Sequence, residues 1–252
     1  SEAKHVVTDF IPPPHWTRFR TFDWGTADPA VVYWVSISDG EPFRDSRGKQ
    51  RWYPRGALVV YNEWYICDRE DPAKGCRMRN EDMAHGIYER SEYQFRNVPI
   101  LTDSLPFQDR GGVTIAQTFA DTFRSLGSSA CLTLGDTSRV AGWSQLRSRL
   151  IGQQIDSNDE SRSAMIYFTE CCKYARDYIP ALMRHPSEGK KEDAAEHGEA
   201  THACDAIRLA CMAHTIIKDR TIPMQNRIEK ELALRRPSPK NILGSNYRRF
   251  FV

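Results

Sequence analysis

The sequence predicts an α/β fold: a mixed sheet, made of an antiparallel three-strand meander plus parallel strands, flanked by helices. Three observations carry this expectation. Three strand-like segments with hairpin-type links come first. Helical periods then alternate with short apolar runs. No run approaches the ~20 apolar residues of a membrane helix, which points to a soluble protein. The composition agrees, since 252 residues at 40% hydrophobic and 27% charged describe an ordinary globular chain. Such a chain can bury a core without disulfides. The formal charge is +2, from 35 basic and 33 acidic residues. That excludes a coat of positive charge over the whole surface, though not a local basic face.

The elements follow in order. Residues 1–17 read as an N-terminal arm or linker, because Pro12-Pro13-Pro14 can continue neither a helix nor a central strand. Ser1 to Pro14 also lacks the apolar core of a signal peptide. Arg18 to Trp24 alternates polar and apolar residues and stops at Gly25, giving the first strand. Ala30 to Ser38 is β-branched and aromatic, the second strand; Gly56 to Cys67 is the third. Between them, 39–55 is polar, carries turn signals and is long for such a link. Asn80 is placed to cap a helix over 81–93. Val98 to Thr102 is a short buried strand ending at Asp103. Further helices are expected at 114–126, 140–151, 170–183, 194–217 and 224–234, with strands at 130–134 and 163–169. The main domain is thus expected to span 18–234, followed by a basic tail, 235–252, with Lys240, Arg248 and Arg249. The meander is expected on one side of the sheet and the crossover strands on the other.

The chain contains no Gly-x-x-x-x-Gly-Lys-[Ser/Thr] loop, no Gly-x-Ser-x-Gly elbow and no Gly-x-Gly-x-x-Gly fingerprint. A P-loop ATPase is thereby excluded from this stretch. Three carboxylates stand at informative places instead. Asp23 ends the first strand and Asp103 the fourth. If those strands are parallel neighbours, the two acids meet where open α/β sheets place their sites. Asp205 lies in a late helix, with His202 three residues earlier on the same face. Like charges so close raise each other's pKa, and a divalent cation removes that cost. Hard oxygen donors suit Mg²⁺ or Mn²⁺. Each acid also has an ordinary role open to it: turn former for Asp23 and Asp103, partner of Arg208 for Asp205.

Four segments carry a resemblance. Phe22-Asp23-Trp24-Gly25-Thr26-Ala27-Asp28-Pro29 resembles the first acidic motif of the nuclease domain of tailed-phage large terminase subunits. Thr102-Asp103-Ser104, with Arg110 to Ala116, resembles the second. Arg139-Val140-Ala141-Gly142-Trp143 is similar to that family's Arg-Val-Ala-Gly-Trp segment. Glu192-Asp193 through Glu199 and His202 to Ala206 resemble its C-terminal acidic motif. All four occur in the family's order. The resemblance implies an RNase H-like fold and a metal-dependent endonuclease that cuts double-stranded concatemeric viral DNA during packaging. It implies a motor ATPase domain upstream, so the chain reads as the C-terminal part of a large subunit. The portal and the small terminase subunit are implied partners, and the cytoplasm of an infected bacterium the implied setting. In mechanism, Asp23, Asp103 and Asp205 would hold two Mg²⁺ or Mn²⁺ ions roughly 3.5–4 Å apart, with Asp23 bridging. His202, Glu63 and Glu199 are auxiliary candidates, His202 to orient Asp205 or to touch phosphate. Replacing Asp205 by Asn is expected to relieve repulsion, leaving metal-free stability level or higher.

DNA contacts are expected from Arg44, Arg47, Lys49 and Arg51 in the long link, and from Arg139, Arg147 and Arg149. Two other readings stay open: a junction-resolvase type of RNase H-like nuclease, and a portal or capsid docking module. The seven cysteines contain no Cys-x-x-Cys pair and read as reduced thiols serving as small hydrophobes. Cys171 and Cys172, being adjacent, are not expected to face one partner.

Overall fold

A computed structural model describes residues 2–109, 111–154, 161–182, 193 and 200–214. They belong to one compact unit, Ser1–Ile216. The expected helix at 224–234 and the basic tail lie outside the described residues, as do Arg110, Glu192 and Glu199.

The strands in chain order are β1 Val6–Val7, β2 Thr17–Asp23, β3 Ala30–Ile37, β4 Phe43–Arg44, β5 Gln50–Arg51, β6 Leu58–Ile66, β7 Ile100–Thr102, β8 Leu132–Leu134, β9 Gln153–Gln154, β10 Arg162–Ser163 and β11 Ile166–Thr169. The helices are α1 Glu2–His5, α2 Asn80–Arg90, α3 Ile115–Ser125, α4 Arg139–Ile151, α5 Lys173–Ala181 and α6 Ala200–Ala213. Seven strands form one sheet in the order β1-β11-β6-β3-β2-β7-β8. The meander β2-β3-β6 is antiparallel, while β7 joins β2, β8 joins β7, β11 joins β6 and β1 joins β11, all parallel.

Both faces of this sheet are covered, which explains why its middle strand β3 is almost continuously apolar. Along β3, Val32 and Trp34 point to one face, with Met83 and Ile87 of α2 and Phe119 and Phe123 of α3. Val31, Tyr33 and Val35 point to the other, with Trp143 and Leu146 of α4 and Ile207 and Ala210 of α6. Each of these large apolar side chains contributes about 1.5–3 kcal/mol by leaving water. Gly152 ends α4 at φ 88°, a left-handed conformation that a side chain would disfavour.

Some expectations change. The meander sits in the middle of the sheet, with crossover strands on both sides. Residues 2–7, expected within an arm, form a helical turn and the edge strand β1, whose two residues are too few to show periodicity. The long link folds into the small hairpin β4-β5, and β9-β10 form another. Asn80 does not cap α2 through its side chain; its Oδ1 accepts from Trp24 Nε1 at 2.9 Å. That bond ties the Asp23-Trp24-Gly25 turn to α2. A Cβ at Gly25 would stand 2.5 Å from the Asp28 carbonyl oxygen, so the turn closes this tightly only with glycine.

Candidate active site

The sheet register brings two of the acids together. β2 and β7 are parallel neighbours with Phe22 opposite Thr102, so Asp23 and Asp103 leave the sheet side by side. Their two buried predecessors, Phe22 and Thr102, fix the strand ends. α6 crosses this end of the sheet on β2, β3 and β7, and carries Asp205 and His202 to the same place. Helix α4 lies against α6. A Cβ at Gly142 would collide with Arg208 Cγ, so glycine is what lets the helices approach here. The Trp143 ring then lies under both guanidinium groups, 5.8 Å from Arg139 and 5.4 Å from Arg208. This is a packing reason for the Arg-Val-Ala-Gly-Trp segment.

Every acid has a donor. His202 Nδ1 donates to Asp23 Oδ2 at 2.9 Å. Asp103 Oδ1 accepts from Leu105 N–H at 3.0 Å, the first residue of a short 3-10 turn over Leu105–Phe107. Asp205 Oδ1 accepts from Arg208 Nε at 2.8 Å and from Arg139 Nη1 at 3.4 Å. Arg139 Nε and Trp143 Nε1 both donate to Asp193, at 3.1 and 2.8 Å. The expected Asp205–Arg208 pair is therefore present, inside the acidic cluster rather than on an open helix face. His202 serves Asp23, not Asp205.

The electrostatics show a site short of positive charge. Burial pushes the Asp23 carboxyl up to about 6, and the charges of Asp205 and Asp103 push the same way, against the pull of His202. Asp103 is raised by burial and by Asp205. The bond to Asp23 raises His202. The donor set thus suits a hard divalent cation, whose charge would take over what imidazole and guanidinium supply here. Among the described residues no three His, Cys, Asp or Glu side chains already converge as a metal-binding group. Asp205 would have to turn from its arginines toward an ion.

These shifts give a pH prediction. An Asp raised in the fold holds its proton longer than in the unfolded chain, so metal-free stability falls as pH climbs from the usual 3.8 toward about 6. His202 adds stability that is full below its usual 6.5 and lost as pH rises through its raised folded value. Both act in one direction. Mn²⁺ should therefore raise the melting temperature more at pH 8 than at pH 5. Equal gains at both pH values would contradict the assignment.

The other expected residues are placed as follows. Glu63 is half-buried and accepts from Tyr174 N–H and Ala175 N–H, at 2.9 and 2.8 Å. It caps α5 and is not directed to the acids. Arg51 is buried on Asp45 at 2.6 Å and over the Phe10 ring at 4.3 Å, so it is not a phosphate contact but a pin of the hairpin. Arg149 is fully buried, donating to Gly56 O, Met165 O and His214 O. Arg44, Arg47 and Lys49 are exposed on the hairpin. It leaves β3 after Ile37, opposite Thr17, whereas Asp23 is opposite Val31. The hairpin is thus at the far end of the strands, about 20 Å from the acids. Arg139 is in the acidic cluster, and exposed Arg147 lies two turns farther along α4, about 12 Å away. Asp193, bonded to Arg139 and Trp143 of α4, carries no sequence signal beyond membership of the C-terminal acidic segment.

This arrangement, acids at the ends of adjacent parallel strands beside an antiparallel meander and a helix carrying a further acid, is that of an RNase H-like fold. Comparison with solved structures makes the fold more specific. The chain superposes on the P22 large terminase nuclease domain with a TM-score of 0.54 at 14% identity, covering 84% of this chain and 88% of that one. It superposes on the large terminase from a thermophilic bacteriophage, in complex with ADP, with a TM-score of 0.54 at 15% identity, covering 83% of this chain and 42% of that one. The ATP-gamma-S complex of the same thermophilic phage protein gives 0.55 at 14% identity, with 85% and 43% covered. No protein-family profile and no curated protein matches the sequence. The fold is that of a large-terminase nuclease domain, and the chain spans about two fifths of the thermophilic phage protein's length.

Proposed function

We propose that the chain is a metal-dependent endonuclease that cuts double-stranded concatemeric viral DNA during genome packaging. The observation that supports this best is that Asp23 and Asp103 end adjacent parallel strands, with Asp205 close enough to act electrostatically on both, in a fold shared with a terminase nuclease domain. We assign these three acids as ligands of two Mg²⁺ or Mn²⁺ ions. Bound there, such ions supply a nucleophilic water at neutral pH and offset charge on the attacked phosphodiester. The chain's own groups prepare the site. His202 fixes the orientation of Asp23, and Arg139 and Arg208 hold Asp205 at the cluster. A motor ATPase domain upstream, portal and small-subunit partners, and action in the infected cell's cytoplasm belong to the same proposal.

Nicking of supercoiled plasmid tests it. Mg²⁺ or Mn²⁺ should support nicking, and Ca²⁺ should support it poorly because its looser geometry suits in-line attack badly. Full activity in excess EDTA would sink the assignment. Preference for four-way junctions over linear duplex would favour the resolvase reading. Saturable portal binding without any cleavage would favour the docking reading.

The hairpin calls for a separate prediction. Replacing Arg44, Arg47 and Lys49 by Ala should lower the salt slope of duplex binding by about 0.9 per lost contact. The cleavage rate at saturating DNA should stay unchanged, because the hairpin lies at the far end of the sheet. An unaltered slope would make these three residues solvated surface.

A further inference from the structure

Cys171 and Cys172 stand in the turn between β11 and α5, the first exposed and the second buried. In an extended chain adjacent side chains diverge. This turn brings them together. Thr169 Oγ1 lies 3.2 Å from Cys171 Sγ and 3.5 Å from Cys172 Sγ. Behind them, neighbouring carbonyls of β6 face the sulfurs, Tyr61 O at 3.5 Å from Cys171 and Val60 O at 3.4 Å from Cys172. The backbone is pinned by three bonds: Cys171 N–H to Asp9 Oδ1 at 2.9 Å, Cys172 N–H to Thr169 O at 3.0 Å, and Lys173 N–H to Cys171 O at 2.9 Å. Two thiols thus converge on one hydroxyl from a fixed turn, with one open to solvent. β11 is separated from β2 by β6 and β3, about 14 Å sideways, so the pair is distinct from the acids.

The spacing decides what the pair can hold. Adjacent Cα atoms across a trans peptide are about 3.8 Å apart, below the roughly 4.4–6.8 Å of ordinary disulfides. A direct S–S bond would distort the turn. A bridging atom lengthens the link, since thiolate–metal bonds are about 2.3 Å each against about 2.05 Å for one S–S bond. Thiolates select soft ions. We propose that Cys171 and Cys172 form a two-thiol site for a soft, thiophilic ion of the Cu(I) or trivalent-arsenic kind. The hydrogen bond from Cys172 also draws the Cys171 thiol below its usual range, while burial drives Cys172 well above it. Cys171 therefore engages first and Cys172 closes the chelate. With an organic arsenoxide, two As–S bonds form and the As=O oxygen leaves as water with both thiol protons. Arsenic stays trivalent, so no oxidant is needed. With Cu(I), two protons pass to solvent.

The test uses the full chain and phenylarsine oxide, read by intact mass after a wash with excess monothiol. One phenylarsine per chain should survive that wash and be released by 2,3-dimercaptopropanol. It should be lost in Cys171→Ser, an exposed change that leaves the core alone, and in Cys172→Ser. It should persist when the other exposed thiols are removed in Cys76→Ser/Cys131→Ser. An anaerobic Cu(I) competition against bicinchoninate separates the two sources. Wild type should withdraw one equivalent that Cys171→Ser does not; arsenical retention without this withdrawal would assign the site to a metalloid. Retention of the arsenical by Cys171→Ser, or no retention by wild type, overturns the proposal.

Discussion

Asp205→Asn is expected to lower metal-dependent cleavage by at least about a hundredfold, because the site loses a charged ligand where the reaction needs charge stabilisation. Its effect on metal-free stability has the opposite sign to the sequence-based expectation. Asp205 does sit among other acids, but it also accepts from Arg208, whose side chain is only 6% exposed, and from Arg139. Asn keeps an acceptor and gives up the charge. A loss of about 1–3 kcal/mol follows in EDTA. Mn²⁺ should rescue the melting temperature of wild type more than that of the variant. The Asp205–Arg208 pair alone would predict the stability loss; only a ligand role predicts the loss of cleavage with it. A variant that is destabilised yet cuts at the wild-type rate would remove Asp205 from the site.

The second large effect is structural. Arg149→Ala should destabilise the fold by about 3–5 kcal/mol, a large part of the 5–15 kcal/mol typical of a domain. The guanidinium is fully buried and serves three carbonyls, those of Gly56, Met165 and His214. Removing it leaves these acceptors unpaired and opens a cavity. Urea unfolding measures the change. A loss below about 1 kcal/mol would mean the carbonyls find other donors. DNA affinity of the folded variant should match wild type, since this arginine faces the interior.

The sequence exposes some layers of this structure better than others. Strand ends were legible because the polar–apolar alternation of the first strand and the short apolar run of the fourth stop at Asp23 and Asp103; parallel pairing of those strands entered only as a condition, which the register of β2 and β7 meets. Helical spacing put His202 and Asp205 on one face. It could not say which neighbouring element that face meets, so the partner of His202 was misassigned. Arg51 and Arg149 looked like other arginines of basic groups, because sequence does not reveal which long side chain turns inward. Glu63 reads as a strand acid until α5 is seen to start over it. Cys171 and Cys172, being adjacent, were not expected to face one partner; the turn between β11 and α5 brings both sulfurs to Thr169 Oγ1.

The central claim is that Asp23, Asp103 and Asp205 jointly hold the metal ions. Anomalous diffraction from crystals soaked in Mn²⁺ tests it most directly. Two Mn²⁺ peaks should lie between the three carboxylates, with Asp205 turned away from Arg208 and Arg139. Peaks elsewhere, or none at the cluster with Asp205 still held by both arginines, would contradict it.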